Sequence, residues 1–206
     1  MSDSYRNPFS GSNAAQLETD LILQYWCNPF AYQLFSGIKE ADIYEDRMNI
    51  VFMGGRSTGK SMFLRYWSYP VQFKAAERDR ITFADILKRN QGIGFYFRID
   101  GPALKSFQGH GLSDEHWSSV FTHYFELIVG RQYIEAIKLL QDSNQIEHEI
   151  IENSFIPKLC EHLDFAPKSS LDEVIEEFDK RIKHVDRYRG DVPFHTTPFD
   201  PGERGL

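Results

Sequence analysis

Cysteine is scarce in this chain. Cys27 and Cys160 are the only two in 206 residues, too far apart to form a metal- or redox-type pair. Their scarcity excludes a disulfide-stapled scaffold and fits a reducing compartment. No apolar run approaches the ~20 residues that a membrane-spanning helix needs. The opening Met-Ser-Asp-Ser-Tyr-Arg-Asn-Pro lacks the apolar stretch of a secretory signal. A cytoplasmic location without a membrane partner is therefore expected. Internal repeats and low-complexity tracts are missing too. Basic residues are outnumbered 23 to 30, for a net charge of −7, which argues against reliance on bulk attraction to nucleic acid but leaves room for a local basic patch. What the chain does have is apolar and aromatic mass, 41% and 15%, too much for a disordered protein.

The charge is unevenly spread. Residues 56–89 carry eight basic and three acidic side chains, whereas residues 142–186 carry five and twelve. The first stretch surrounds a candidate polyanion site; the second reads as the solvated face of helices. Four segments are expected: an N-terminal arm and helical linker over 1–46, a core over 47–141, a helical segment over 142–190 and an irregular tail over 191–206. Leu17, Leu21, Ile22 and Tyr25 share one face of a helix that Asn28-Pro29 ends. Residues 47–53 and 94–100 read as short buried parallel strands. Residues 60–68 read as a helix closed by Pro70. Ser113 is the expected N-cap of a helix reaching about Leu140, a further helix from about Ile146 is kinked or divided at Pro157, and Ser170-Leu-Asp-Glu173 is a capping box opening another.

The segment Gly54-Gly55-Arg56-Ser57-Thr58-Gly59-Lys60-Ser61 satisfies G-x-x-x-x-G-K-[ST]. Glycines let the backbone wrap so that its N–H groups face phosphate oxygens, and a following helix aims its positive end at the same anion. Lys60 is placed to reach the β- and γ-phosphates, and Ser61 to ligate Mg²⁺. This points to ATP and Mg²⁺ as ligands. Turnover additionally needs a carboxylate that holds metal or polarises water. Asp100, at the end of the second strand candidate, is the only catalytic candidate; termination of a strand beside Arg98 is the favoured reading of it. His116 and His123 lie on one helix face without a third ligand at that spacing, and Trp117, Phe121, Tyr124 and Phe125 read as core.

Residues 53–68, together with Gly94-Phe-Tyr-Phe-Arg-Ile-Asp100, Phe107-Gln-Gly-His-Gly-Leu-Ser-Asp-Glu-His-Trp117, Phe121-Thr-His-Tyr-Phe-Glu-Leu127 and the upstream Asn28-Pro29-Phe30, resemble a prokaryotic family of AAA+ ATPases related to origin-recognition and replication-initiator ATPases. Ser61 stands where that family usually has threonine, and Ser57 where it often has glycine. The resemblance implies an α/β fold, a P-loop NTPase three-layer core with a parallel sheet, here incomplete, plus a helical C-terminal segment. Family members are longer, with the Walker B strand, sensors and arginine finger following the matched part. The chain therefore resembles an N-terminal half, whose partners by resemblance are a complementing C-terminal half, further copies of itself, and DNA or a defence effector.

Three functions follow as expectations. The first is an ATP–Mg²⁺-binding module acting as a nucleotide-dependent switch, with hydrolysis completed by other elements. The second is a small nucleoside-kinase-like phosphotransferase with Asp100 as base and Arg78, Arg80 or Arg131 as lid cations. The third is a non-catalytic interaction protein that senses nucleotide.

Overall fold

A computed structural model describes residues 17–29, 51–53, 59–90, 92–99, 101–109 and 112–191. Of these residues 71% are helical, and none belongs to a β-strand. The elements are α1 (Thr19–Tyr25), α2 (Lys60–Tyr66), α3 (Tyr69–Asp79), α4 (Phe83–Asn90), α5 (Gly101–Lys105), α6 (Asp114–Asp142), α7 (His148–Ile150), a π-turn (Ile151–Phe155), α8 (Ile156–His162) and α9 (Leu171–Asp191). They fall into two compact units that divide between Tyr96 and Phe97.

The expected parallel-sheet core is overturned among the described residues. Val51 and Met53 are 78% and 90% exposed, whereas a strand inside a parallel sheet is covered on both faces. Residues 47–50 lie outside the described part. Residues 94–99 form no ladder; a single parallel bridge joins Ser68 to Gly94, with the Tyr69 N–H donating to the Gly94 carbonyl at 2.8 Å. A short apolar run signals burial somewhere, but periodicity alone does not tell a strand from another buried segment.

In the first unit, Leu17, Ile22 and Val71 form a small core against Leu21, Leu23, Met62 and Tyr66. Pro70 does follow the end of α2, but it also occupies the first turn of α3, where its missing N–H has no partner to lose. Gly94 is required sterically, because a Cβ there would lie 2.3 Å from the Trp67 carbonyl oxygen. Thr82 and Asp85 cap α4 reciprocally: Asp85 N–H donates to Thr82 Oγ1 at 3.1 Å, and Thr82 N–H to Asp85 Oδ2 at 3.1 Å.

In the second unit, α6 and α9 run antiparallel. Lys138 pairs with Asp172 and Arg131 with Asp179, while at the opposite end His116 meets Tyr188. Trp117, Val120, Leu127 and Ile134 of α6 share a core with Leu171, Val174, Phe178 and Val185 of α9. Gly130 permits a close approach, since a Cβ there would sit 2.8 Å from Phe178 Cε1. Of the expected aromatic core, Trp117 is buried, whereas Phe125 stays exposed at 38%. Ser113 caps α6 by accepting from His116 N–H at 3.2 Å. Ser170 Oγ accepts from Glu173 N–H at 3.3 Å, and Glu173 reaches back one residue further than a standard box, to Ser169 N–H at 2.8 Å. Arg80, Asn144 and Asp164 have positive φ. Each closes a helix in the same way: the next N–H (Ile81, Gln145, Phe165) bonds back five residues, to Ala76, Leu140 and Cys160. This is the Schellman closure.

Candidate nucleotide-binding site

The described end of the phosphate-loop sequence is Gly59, Lys60 and Ser61; Gly54, Gly55, Arg56, Ser57 and Thr58 lie outside the described residues. Gly59 caps α2 at φ +82°, ψ 2°, a left-handed conformation that only glycine adopts at little cost. Its carbonyl accepts from Phe63 N–H at 2.8 Å. The backbone amides before Phe63 therefore precede the helix's own hydrogen-bond ladder. Lys60 and Ser61, both half-buried, occupy that first turn.

The rest of α2 is anchored. Phe63 packs against Phe52 at 4.8 Å between ring centroids and against Trp26 at 6.1 Å. Arg65 donates to the Leu17 carbonyl at 2.5 Å and lies 6.0 Å from the Tyr96 ring centroid. Burial draws the Arg65 guanidinium below its ordinary pKa, with Tyr96 opposing the shift. The apolar side of α2 is thus fixed while its first turn carries an ammonium, a hydroxyl and amide donors. That donor set fits a phosphate with a hard cation: lysine offers a point charge to phosphate, and a hydroxyl oxygen suits Mg²⁺.

The other sequence candidates are engaged as follows. Asp100 lies outside the described residues. Arg78 is engaged with Asp79 at 2.9 Å, and Arg80 is the left-handed residue closing α3. Arg131 bonds Asp179 of α9 at 2.6 Å and Glu135 of its own helix at 2.9 Å. Arg189 bonds Asp186 and Ser106 and lies over Phe107 and Tyr124, 5.2 and 5.3 Å from their ring centroids. His116 Nε2 lies 3.0 Å from the Tyr188 hydroxyl, and His123 is buried. Among the described residues no group of three or more His, Cys, Asp or Glu side chains is placed to hold a metal ion, and no helix is long and apolar enough to cross a membrane.

The sequence reading missed an open groove of about 470 Å³, lined by Asp20, Leu23 and Gln24 of α1 and Lys74, Glu77 and Arg78 of α3. Lys74 and Asp20 pair across it at 3.3 Å. Only the packing of two helices fifty residues apart reveals it.

A left-handed glycine followed by lysine and serine at a helix start defines the closing turn of a phosphate-loop sequence. A family profile described as ORC-CDC6-like matches residues 7–203, and the chain belongs to that family. The match agrees with a relationship to replication-initiator AAA+ ATPases and with a nucleotide-binding role in general. No curated protein and no solved structure matches the chain.

Proposed function

We propose that the chain is an ATP–Mg²⁺-binding module that works as a nucleotide-dependent switch in the cytoplasm. The observation that carries this reading is the left-handed Gly59 heading α2, with Lys60 and Ser61 in its first turn, inside a complete G-x-x-x-x-G-K-S sequence. In this reading the backbone of Gly54, Gly55, Arg56, Ser57, Thr58 and Gly59 wraps the phosphates, Lys60 contacts the β- and γ-oxygens, and Ser61 ligates Mg²⁺. Bound Mg²⁺ would supply charge neutralisation between the phosphates. The chain's own part is to bind and orient. Binding ground and transition states alike does not speed chemistry, so hydrolysis draws on a water-positioning group from a partner subunit or further chain. The module occupies residues 47–141, behind an arm and linker over 1–46, with a helical segment over 142–190 and a tail over 191–206. Family membership supports self-association or DNA as partners.

Calorimetric titration with ATP–Mg²⁺ tests the reading. Lys60→Ala should weaken binding more than tenfold, because a charge-assisted contact to phosphate contributes roughly 2–3 kcal/mol. Equal affinity of variant and parent rejects the site.

A further inference from the structure

Cross-helix pairs along α6 and α9 match opposite charges at one end, Lys138 with Asp172 and Arg131 with Asp179. The match is reversed further along. His123 lies midway between Gly130, which meets Phe178, and His116, which meets Tyr188. The corresponding midpoint on α9 falls between Arg181 and His184, one turn apart. His123 and Arg181 are each 8% exposed. Arg181 is held by the Asp164 carbonyl at 3.1 Å, by Glu177 at 3.5 Å and by the Phe165 face at 4.3 Å, yet its Nη1 is buried without a hydrogen-bond partner among the described residues.

We propose that the His123 level makes the α6–α9 pair a pH-sensitive clasp, closed while His123 is neutral and loosened when a proton adds a cation beside Arg181 and His184. Arg181 and His184 from α9 and Glu126 from its own helix act on His123. Arg181 in turn pairs with Glu177, which Lys168 also faces. Burial lowers the His123 pKa first; Arg181 and His184 lower it further, and Glu126 opposes them. The sign follows. A histidine whose folded value is depressed favours the fold fully above its unfolded value of about 6.5, and that contribution is lost as pH falls through the folded value.

The full chain is unfolded in urea at pH 7.5, 6.5 and 5.5, alongside His123→Gln. From His123 the parent's folded-to-unfolded ratio should hold between pH 7.5 and 6.5 and fall by up to about tenfold between 6.5 and 5.5, and the variant's should fall clearly less over that lower step. Comparing slopes keeps the test valid even where the variant is less stable overall. In parallel, NMR titration should place the His123 midpoint below the ordinary histidine value, and His184→Gln should raise it. Equal pH slopes for parent and His123→Gln, or a His123 midpoint at the ordinary histidine value that His184→Gln leaves in place, overturns the proposal.

Discussion

Trp26 lies flat on Tyr66, with ring centroids 3.6 Å apart and planes 2° from parallel. The stack joins the segment after α1 to the last residue of α2, the helix whose first turn holds Lys60 and Ser61. With Phe63 and Trp67 tilted or edge-on to Trp26 at 6.1 and 6.4 Å, the indole is the hub of the first unit's aromatic cluster. Trp26→Ala should destabilise that unit by about 2–4 kcal/mol, from lost burial and aromatic contact. Urea unfolding followed by circular dichroism measures this. A loss under 0.5 kcal/mol would mean that the stack contributes nothing beyond exposed contact.

Two glycines of the second unit should respond oppositely to alanine. Gly130→Ala forces a methyl against Phe178, an overpacking that costs about 1–3 kcal/mol. Gly190→Ala, near the end of α9, meets nothing within 4 Å and should gain up to about 1 kcal/mol of helix propensity. Paired thermal melts check both. Equal shifts of one sign would contradict the close α6–α9 approach.

Arg80 ends α3 at φ 56°, where a side chain costs roughly 1–2 kcal/mol per left-handed residue. Arg80→Gly removes that strain but loosens the unfolded chain, leaving a net gain of several tenths of a kcal/mol. Urea midpoints of parent and variant at equal m-value decide the matter. A lower midpoint in the variant would show that the Arg80 side chain stabilises the fold through other contacts.

Glu177 faces Lys168 at 3.2 Å and Arg181 at 3.5 Å, all three largely buried. Burial pushes the Glu177 carboxyl up, but Lys168, Lys180 and Arg181 outweigh it and the pKa is lowered. A carboxyl depressed in the fold stabilises above its unfolded value of about 4.3 and loses that contribution as pH falls through the folded value. Glu177→Gln should therefore cost about 1–3 kcal/mol at pH 7 and lose less on acidification to pH 3 than the parent. Parallel unfolding curves at the two pH values would refute the pairing.

Local hydrogen-bond chemistry was legible in the sequence. Ser113 and Ser170 cap the helices expected of them because a cap is made by residues three apart. The Gly59-Lys60-Ser61 turn is legible for the same reason, its spacing being that of one helical turn. The Thr82–Asp85 box carried an equal signal and went unread, so α4 was not expected. Pro70 signals both a helix stop and the first turn of a new helix, so the sequence leaves α3 ambiguous. The outcome at 51–53 had another cause. Apolar composition suggested a buried strand, but burial of Val51 and Met53 depends on what lies over them, a tertiary fact. The opposition of His123 to Arg181 was likewise invisible, because it depends on the register of two helices almost sixty residues apart.

At the π-turn, Ile156 N–H bonds the Ile151 carbonyl, five residues back, just before Pro157, which has no N–H to offer Asn153. In an uninterrupted α-helix Ile151 and Ile156 would point about 140° apart, yet both are buried, at 4% and 0% exposure. The wide turn therefore acts as a phase shifter: it takes up one surplus residue so that the apolar stripes before and after it fall on the same side. Excising one of the exposed residues Glu152, Asn153 or Ser154 would leave Ile151 and Ile156 four residues apart, about 40° on an ordinary helix, and the two stripes would align without the wide turn, so in this segment the residue count matters more than which polar side chains fill it.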